Sequence, residues 1–467
     1  MFALKGTRPS IRPSMSPSAS MCGLGLHRGS MMVLGGSNGF GGVHSAHHHH
    51  HHHHHHPHHR CCRAIHVSSS TDVVSAASAA SSSVALTRSD VIKAHPRNNV
   101  SDYIFNKVGV NLHHRREHPL GILRTAIQEY FETKVATDGK PFAFFDDMAP
   151  VVRIEQNFDE LLIPKDHVSR SSNDTYYVDD DTVLRCHTSA HQLEKLKAGN
   201  ERFLVMGDVY RRDTIDATHY PVFHQMEGVR VFDPSEWEAA GMDSTAFAEQ
   251  ELKNTLEGLA RHLFGDVEMR WVDAYFPFTE PSAELEVFYG GDWLEVLGCG
   301  VMRQEILTEG GSPEKRAWAF GLGLERLAMV LFEIPDIRLF WSEDERFLKQ
   351  WKGANESNWR DLRFKSFSKY PAVFKDMAFW LPEDADYGGE SNSIENNLCE
   401  LIKDVGGDLV EEVKLIDEFT NPKIGKTSNC YRISYRSMER SLTNEEINAL
   451  QDTTRDRVVE ELKVELR

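Results

Sequence analysis

From about residue 100 onward, apolar and polar positions recur regularly enough to predict elements. Over 119–131, Leu120, Leu123, Ile127, Tyr130 and Phe131 fall at helical spacing, and Pro119 suits a first helical turn. Residues 142–154 are apolar and extended, with a break at Pro150. Short β-like runs follow at 182–185, 203–210, 222–231, 268–276, 283–289 and 293–297, punctuated by Gly, Asp and Pro. Helical periodicity returns over about 236–264 and 325–332. Dominant strands with helices beside them predict an α+β domain built on an antiparallel sheet.

Around 350–362 the pattern loosens and predicts a linker. The tail then reads strand, helix, strand, strand, helix at about 374–380, 394–405, 409–418, 430–435 and 444–463, the order of a small ferredoxin-like domain. The expected division is a leader and linker at 1–96, a large domain at 97–350, a short linker at 351–365 and the small domain at 366–467. No internal repeat is visible.

Composition changes the picture mainly at the start of the chain. Residues 1–71 contain no Asp or Glu, while Arg8, Arg12, Arg28, Arg60 and Arg63 sit among Ser, Gly and Pro. That is the composition of a mitochondrial or plastid transit peptide, and it cannot bury enough apolar surface to fold alone. A histidine run at 47–56 is compatible with metal binding; a low-complexity expansion or an expression tag fits it better. The formal charge of −18 weighs against a non-specific nucleic-acid binder, which needs Lys and Arg for phosphates, but leaves room for a local patch. No apolar run reaches membrane-spanning length. Seven scattered cysteines without a CxxC pair argue against a disulfide framework or a cysteine zinc site and suit a reducing compartment.

Five stretches bear chemistry. In the strand at 222–231, side chains alternate between faces, so Phe223, Gln225 and Glu227 point one way and His224 and Met226 the other. A ring, an amide and a carboxylate on one face suit a site that stacks a flat ring and holds an ammonium group; a solvent-facing polar face fits the same pattern. Arg211 and Arg212, at a strand end, have the planar geometry that clamps phosphate oxygens, although a surface pair with Asp213 explains them as well. Phe276 and Phe278 put two rings on one side of an extended segment, either to grip a third ring or simply as core. Glu284, Glu286 and Glu295 lie on or near neighbouring strands, where carboxylates hold Mg²⁺ beside polyphosphate or face solvent. Gly321-Leu322-Gly323-Leu324-Glu325-Arg326 runs from a strand into a helix, an arrangement open to anions. It is neither a Walker loop nor a dinucleotide fingerprint.

In this order the pieces resemble the three signature motifs of class II aminoacyl-tRNA synthetases. The helix and strand ending at Pro150 resemble motif 1, VYRRDTIDATHYPVFHQMEG (209–228) motif 2 and AFGLGLERLAM (319–329) motif 3. The wording of HTSAHQ (187–192), FHQMEG, FPFTEPS (276–282), EVLGCGV (295–301) and IPDIRLFWSED is similar to the phenylalanyl branch, in the single-chain form found in organelles. The resemblance covers about residue 98 to the end, and the tail resembles that family's ferredoxin-like anticodon-binding domain. One departure is Val168, where the family usually has proline, which bears on the rigidity of that loop.

The resemblance implies a fold, an activity and roles. The fold is a class II antiparallel-sheet catalytic domain with flanking helices plus the anticodon domain. The activity is ATP-dependent activation of phenylalanine and transfer to the 2′-hydroxyl of tRNA(Phe), with Mg²⁺ as cofactor. Arg211 binds the α-phosphate, Arg326 the γ-phosphate, Phe223 stacks on adenine, and Glu295 with Mg²⁺ orders the triphosphate. Thr218, His219 and Tyr220 form a loop facing ATP and the acceptor end. Gln225 and Glu227 bind the substrate ammonium group, with His187, Ser189, Ala190, His191 and Gln192 nearby. Phe276, Phe278, Ala319 and Phe320 shape the ring pocket, and Arg432 and Arg436 face RNA. The expected state is a monomer without a large partner subunit or editing domain, in the mitochondrial matrix, with the plastid as the other open destination. The alternatives are a catalytically silent RNA-binding paralogue and an enzyme that makes acyl-adenylates for another acceptor.

Overall fold

The computed structural model describes residues 86–367, 369–382 and 392–467; the arginine-bearing leader and the histidine tract lie outside them. Packing begins earlier than the residue pattern suggests. Val91 is fully buried, its carbonyl accepts a 2.8 Å hydrogen bond from Asn98 Nδ2, and Lys93 pairs with Asp179 at 2.6 Å.

The strands in chain order are β1 (Ala143–Phe145), β2 (Val151–Arg153), β3 (Thr182–Leu184), β4 (Arg202–Tyr210), β5 (Val222–Phe232), β6 (Met269–Ala274), β7 (Thr279–Tyr289), β8 (Asp292–Met302) and β9 (Arg316–Gly323). Seven of them form one sheet in the order β1-β4-β5-β9-β8-β7-β6. Only the short β1–β4 pair is parallel. β2 and β3 form a separate antiparallel pair. The tail contributes β10 (Val373–Trp380), β11 (Val410–Thr420), β12 (Thr427–Tyr435) and β13 (Glu465–Leu466), ordered β11-β12-β10-β13. The last strand, two residues long, is too short to show as a pattern.

Each face of the large sheet has its own apolar layer. One layer gathers Leu204, Met206, Met226, Trp318, Phe320 and Leu322 with the helices Pro119–Tyr130, Ser244–Phe264 and Leu324–Phe332. The other gathers Phe203, Val205, Val229, Val231, Phe276, Phe278 and Ala319. Strand alternation divides them: neighbours in sequence go to opposite faces. Phe320 therefore does not share a pocket with Ala319, contrary to the family-based expectation. Its ring stacks on Phe131, 5.7 Å between centroids, among the helices.

That ring also lies over Gly228. A Cβ built there would sit 2.2 Å from a Phe320 ring carbon and 2.8 Å from Leu204 Cδ2. Gly228→Ala is expected to cost about 1–3 kcal/mol through overpacking, read as a thermal midpoint several degrees lower by calorimetry. An unchanged midpoint would show that the contact relaxes freely.

Local signals explain where the elements stop. The expected 236–264 helix is two helices, Pro234–Ala240 and Ser244–Phe264. Gly241 takes a left-handed conformation, φ 65°, and Asp243 caps the second helix by accepting from the Thr245 and Ala246 N–H groups. Gly321 and Gly323 belong to β9 itself, and the helix starts only at Leu324. In the stretch that reads as a linker, Trp351 and Trp359 are buried in the helix-side core. No described helix is long and apolar enough to cross a membrane. In the tail, Tyr431, Ile433 and Tyr435 of β12 are buried beneath the helices Asn392–Gly406 and Asn444–Leu462. Arg432 lies on the opposite face.

Candidate active site

Four elements converge on one cleft of about 340 Å³. The end of β4 supplies Arg211, the start of β5 Phe223, β8 Glu295, and the first turn of the Leu324–Phe332 helix Arg326. The 211–221 connection adds Thr218, His219 and Tyr220. All seven residues expected at the nucleotide thus line a single cavity, although three different strands carry or flank them.

Inside the cleft each side chain is held. Arg211 Nε donates to the Cys186 carbonyl at 2.8 Å, and its guanidinium lies 5.2 Å from the Phe223 ring centroid. Arg326 Nη1 donates to Glu295 Oε2 at 3.2 Å, while Glu295 Oε1 is buried without a hydrogen-bond partner. Thr218 Oγ1 donates to Asp216 Oδ1 at 2.8 Å, and His219 Nδ1 lies 2.7 Å from Asp216 Oδ2.

Two residues behave differently from expectation. Arg212 does not clamp beside Arg211: it donates to the Ser172 carbonyl at 2.6 Å and to Asn397 Oδ1 of the tail at 3.0 Å. The Tyr220 hydroxyl is taken by Asp408 Oδ1, also in the tail, at 2.6 Å. Both partners lie far away in the chain, so no local pattern points to them.

Behind the cleft lies a buried polar chamber on the same face of β5. Glu227 is 1 % exposed. Its Oε2 accepts from the Ser189 hydroxyl, and its Oε1 and the Gln225 amide nitrogen have no hydrogen-bond partner. Opposite Glu227 and Gln225 on β9 stand Gly321 and Gly323, and opposite Gly321 on β8 stands Gly298. Paired residues share a face, so a strip without side chains runs beside the carboxylate. These glycines lie within strands rather than in a loop around an anion. Phe276 and Phe278, in the turn between β6 and β7, face each other with ring centroids 6.2 Å apart and belong to the same apolar layer as Ala319.

The HTSAHQ stretch contributes selectively. Thr188–His191 forms a 3₁₀ turn, whose three-residue repeat puts Ser189 and Gln192 on one side. Ala190 instead packs with Val152, Tyr177 and Val183. His191 turns to Arg185, 3.0 Å from its Nη1. Neither side chain faces Glu227, which corrects the expectation that the whole stretch lines the site.

Burial sets the charge states. Loss of water pushes the Glu227 carboxyl up to about 7, only partly offset by the Ser189 hydroxyl. Burial pushes His187 down to about 3, with the nearby Arg211 charge acting the same way. His187 is therefore neutral at any working pH.

Carboxylates do not gather into a metal cage. Among the described residues no group of three or more His, Cys, Asp or Glu side chains could hold a metal ion. Glu286 is tied to Arg270 by a 2.6 Å hydrogen bond. Glu295 Oε1 is a buried carboxylate oxygen without a hydrogen-bond partner on a residue that lines the cleft.

Comparison with known proteins matches this architecture. Residues 142–351 match the tRNA synthetases class II core domain (F), and 368–467 match the ferredoxin-fold anticodon binding domain. The Arabidopsis thaliana protein named phenylalanine–tRNA ligase, chloroplastic/mitochondrial, is 60 % identical over 385 residues, covering 82 % of this chain and 86 % of that protein. The chain belongs to the phenylalanine–tRNA ligase family. The mitochondrial phenylalanine–tRNA ligases of Dictyostelium discoideum and Mus musculus are 48 % and 47 % identical over 420 and 406 residues. They cover 81 % and 80 % of this chain, and 91 % and 88 % of their own lengths.

For a phenylalanine–tRNA ligase, the cleft contains residues that motif wording alone did not single out. Ser169 and Thr175 line it, and so does Glu325. Glu325 Oε2 accepts the His224 N–H at 2.7 Å, and its Oε1 lies 2.7 Å from His224 Nδ1. This buried pair fastens the motif 3 helix to β5 and fixes where Arg326 starts. The sequence carried a signal for it: His224 alternates away from Phe223, and Glu325 directly precedes Arg326.

Proposed function

We propose that the protein is an ATP-dependent phenylalanine–tRNA ligase whose cleft takes the nucleotide and whose chamber takes the amino acid. The observation that supports it most is the strip of glycines beside Glu227 and Gln225, on the sheet face whose apolar layer holds Phe276, Phe278 and Ala319, with Gly323 of the strip also lining the Arg211 and Arg326 cleft. An amino acid with an ammonium group at one end and a flat ring at the other fits that strip. Cys186 and His187 join the two parts, since the Cys186 carbonyl holds Arg211.

In this reading Glu227 and Gln225 hold the substrate ammonium group, with the Ser189 hydroxyl orienting the carboxylate of Glu227. The substrate carboxylate attacks the α-phosphorus, the bond to the bridging oxygen breaks, and pyrophosphate leaves. Arg211 stabilises the charge that builds on the α-phosphate, Arg326 holds the outer phosphate, and Phe223 supports the base. A ribose hydroxyl of the tRNA terminus then attacks the acyl carbon, and AMP departs. No side chain becomes a covalent nucleophile; the protein supplies position and field.

The donor set fits a Mg²⁺ held mostly by phosphates. Such an ion needs only one or two protein carboxylates, and Glu295, with Oε1 free of any hydrogen bond, would supply one. When bound, the ion would neutralise phosphate charge.

The tail would meet tRNA. Arg432 is held by Asp376 at 2.8 Å and Arg436 by Glu411 at 2.8 Å, so a phosphate arriving at either arginine must compete with a carboxylate. We read 97–350 as the catalytic part and 366–467 as the anticodon part. We read the chain as a monomer. The leader composition, with the relatives' mitochondrial and chloroplastic names, supports work in the mitochondrial matrix and the plastid.

The test is phenylalanine-dependent exchange of pyrophosphate into ATP, followed by charging of organellar tRNA(Phe). Both activities are expected. Exchange without charging would favour a different acyl acceptor, and absence of both would favour a silent RNA-binding paralogue.

A further inference from the structure

The nucleotide-facing connection between β4 and β5, residues 211–221, is fastened at three points by the tail domain. At its start, Arg212 donates to Asn397 Oδ1 at 3.0 Å and lies 4.0 Å from Glu400. At its tip, Ile215 is 2 % exposed and packs in the tail's own apolar cluster, with Leu398, Ile402, Val413 and Ile433. The Ile215 carbonyl accepts the Val413 N–H at 3.1 Å. At its end, the Tyr220 hydroxyl donates to Asp408 Oδ1 at 2.6 Å. Tyr103 donates to the same oxygen at 2.7 Å, and Lys107 meets the other at 3.2 Å. Lys403 of the tail lies 4.4 Å above the Tyr220 ring.

The catalytic domain grips the two ends of the same segment as well: Arg211 Nε bonds the Cys186 carbonyl at 2.8 Å, Arg212 bonds the Asp174 and Ser172 carbonyls at 3.0 and 2.6 Å, and the Tyr220 hydroxyl lies 2.7 Å from that of Tyr103. The Ala217 carbonyl accepts from the Ile337 N–H at 2.8 Å, and the Arg211 N–H closes the loop onto the Pro221 carbonyl at 3.0 Å. The Tyr220 ring stacks on Trp341 at 5.7 Å. Thr218 and His219 both bond Asp216 of the same loop, by the contacts described above.

We propose that the docked tail domain is a working part of the nucleotide site, with Asp408 as its principal positioning residue. Asp408 does not line the cleft. It acts through Tyr220, holding the 211–221 loop in the shape that brings Arg211, Thr218 and His219 to ATP. A loop of this length loses conformational freedom when ordered. If the tail has already ordered it, ATP binds without that cost. If not, the apparent affinity falls by the fraction of molecules with the loop in place. The effect belongs to amino-acid activation, before any tRNA is present. This inference rests on the ATP-site reading above.

The experiment is phenylalanine-dependent pyrophosphate exchange by the full chain without tRNA, varying ATP and phenylalanine separately. Asp408→Ala is expected to raise KM for ATP about tenfold, with KM for phenylalanine and kcat within about twofold of wild type. Asp408→Asn, which still accepts both tyrosine hydroxyls, should recover most of the affinity. Asn397→Ala, at the other tether, should shift KM for ATP the same way by less. Hydrogen exchange of the 211–221 amides should speed up in Asp408→Ala and slow again with saturating ATP. An unchanged KM for ATP, or a parallel rise in both KM values, would overturn the proposal, as would failure of Asp408→Asn to restore binding. Wild-type protein without exchange activity would instead overturn the ATP-site reading itself.

Discussion

Arg211→Ala is expected to lower the rate of phenylalanyl-adenylate formation by about 10²–10³-fold, the loss typical of removing one preorganised donor from a developing negative charge. The guanidinium is aimed in advance: Nε is committed to the Cys186 carbonyl at 2.8 Å, which leaves the two terminal amino groups to the cleft. A lysine would not reproduce this, because a single ammonium cannot bond the carbonyl and fork onto a phosphate at once. Arg211→Lys is therefore expected to recover little. Single-turnover quench-flow at saturating ATP and phenylalanine reads the chemical step directly. A loss below about fivefold would remove Arg211 from the transition state and leave it a binding role.

The second large effect is at Glu227. Glu227→Gln is expected to raise KM for phenylalanine by about 10²-fold or more, since removing one partner of a buried charge pair leaves the other uncompensated. The pH dependence gives an independent check. The wild-type carboxyl, pushed up to about 7 by burial, must ionise to receive the ammonium group. KM for phenylalanine should therefore fall as pH rises through about 7 and then level off, while in Glu227→Gln that step is absent. Stability of the empty protein moves the opposite way. A raised carboxyl pKa contributes stability that is complete below the unfolded value of about 4.5 and is lost as pH rises through the folded value. Relative to wild type, Glu227→Gln should thus be more stable at pH 8 than at pH 5. Urea titrations of both proteins at the two pH values measure this. A pH-independent difference would mean that Glu227 is not protonated in the empty site.

These two residues also show how far the sequence reaches. The shared face of Phe223, Gln225 and Glu227 follows from strand alternation, a local property, and the structure keeps it. The same rule, applied to Ala319 and Phe320, separates them; the family phrase alone joins them. Ser189 is at the chamber and Ala190 and His191 are not, because a 3₁₀ turn fans consecutive side chains apart. That turn has no periodic signature in the residues. The tail strands and helices were legible within a few residues, whereas the ties of Arg212 and Tyr220 to the tail were not. Those depend on Asn397 and Asp408, and no spacing rule connects such distant positions. Trp351 and Trp359 make the same point at the domain junction. They sit among polar residues in sequence, yet only tertiary packing decides that both are buried.

The order of the strands in the large sheet has a consequence for how the enzyme comes into being. β9 joins β5 on one side and β8 on the other. Before it is laid down, the chain holds two separate ribbons, β1-β4-β5 and β8-β7-β6, each ending in a bare edge. Such edges are templates for association with other chains, so a nascent or newly imported molecule is most vulnerable until residue 323 has been delivered. Ligand binding arises at the same step, because β9 closes the gap and leads directly into the helix bearing Arg326. A shortened chain ending before β9 would therefore be both sticky and inert, and chaperone demand should end at the moment affinity begins.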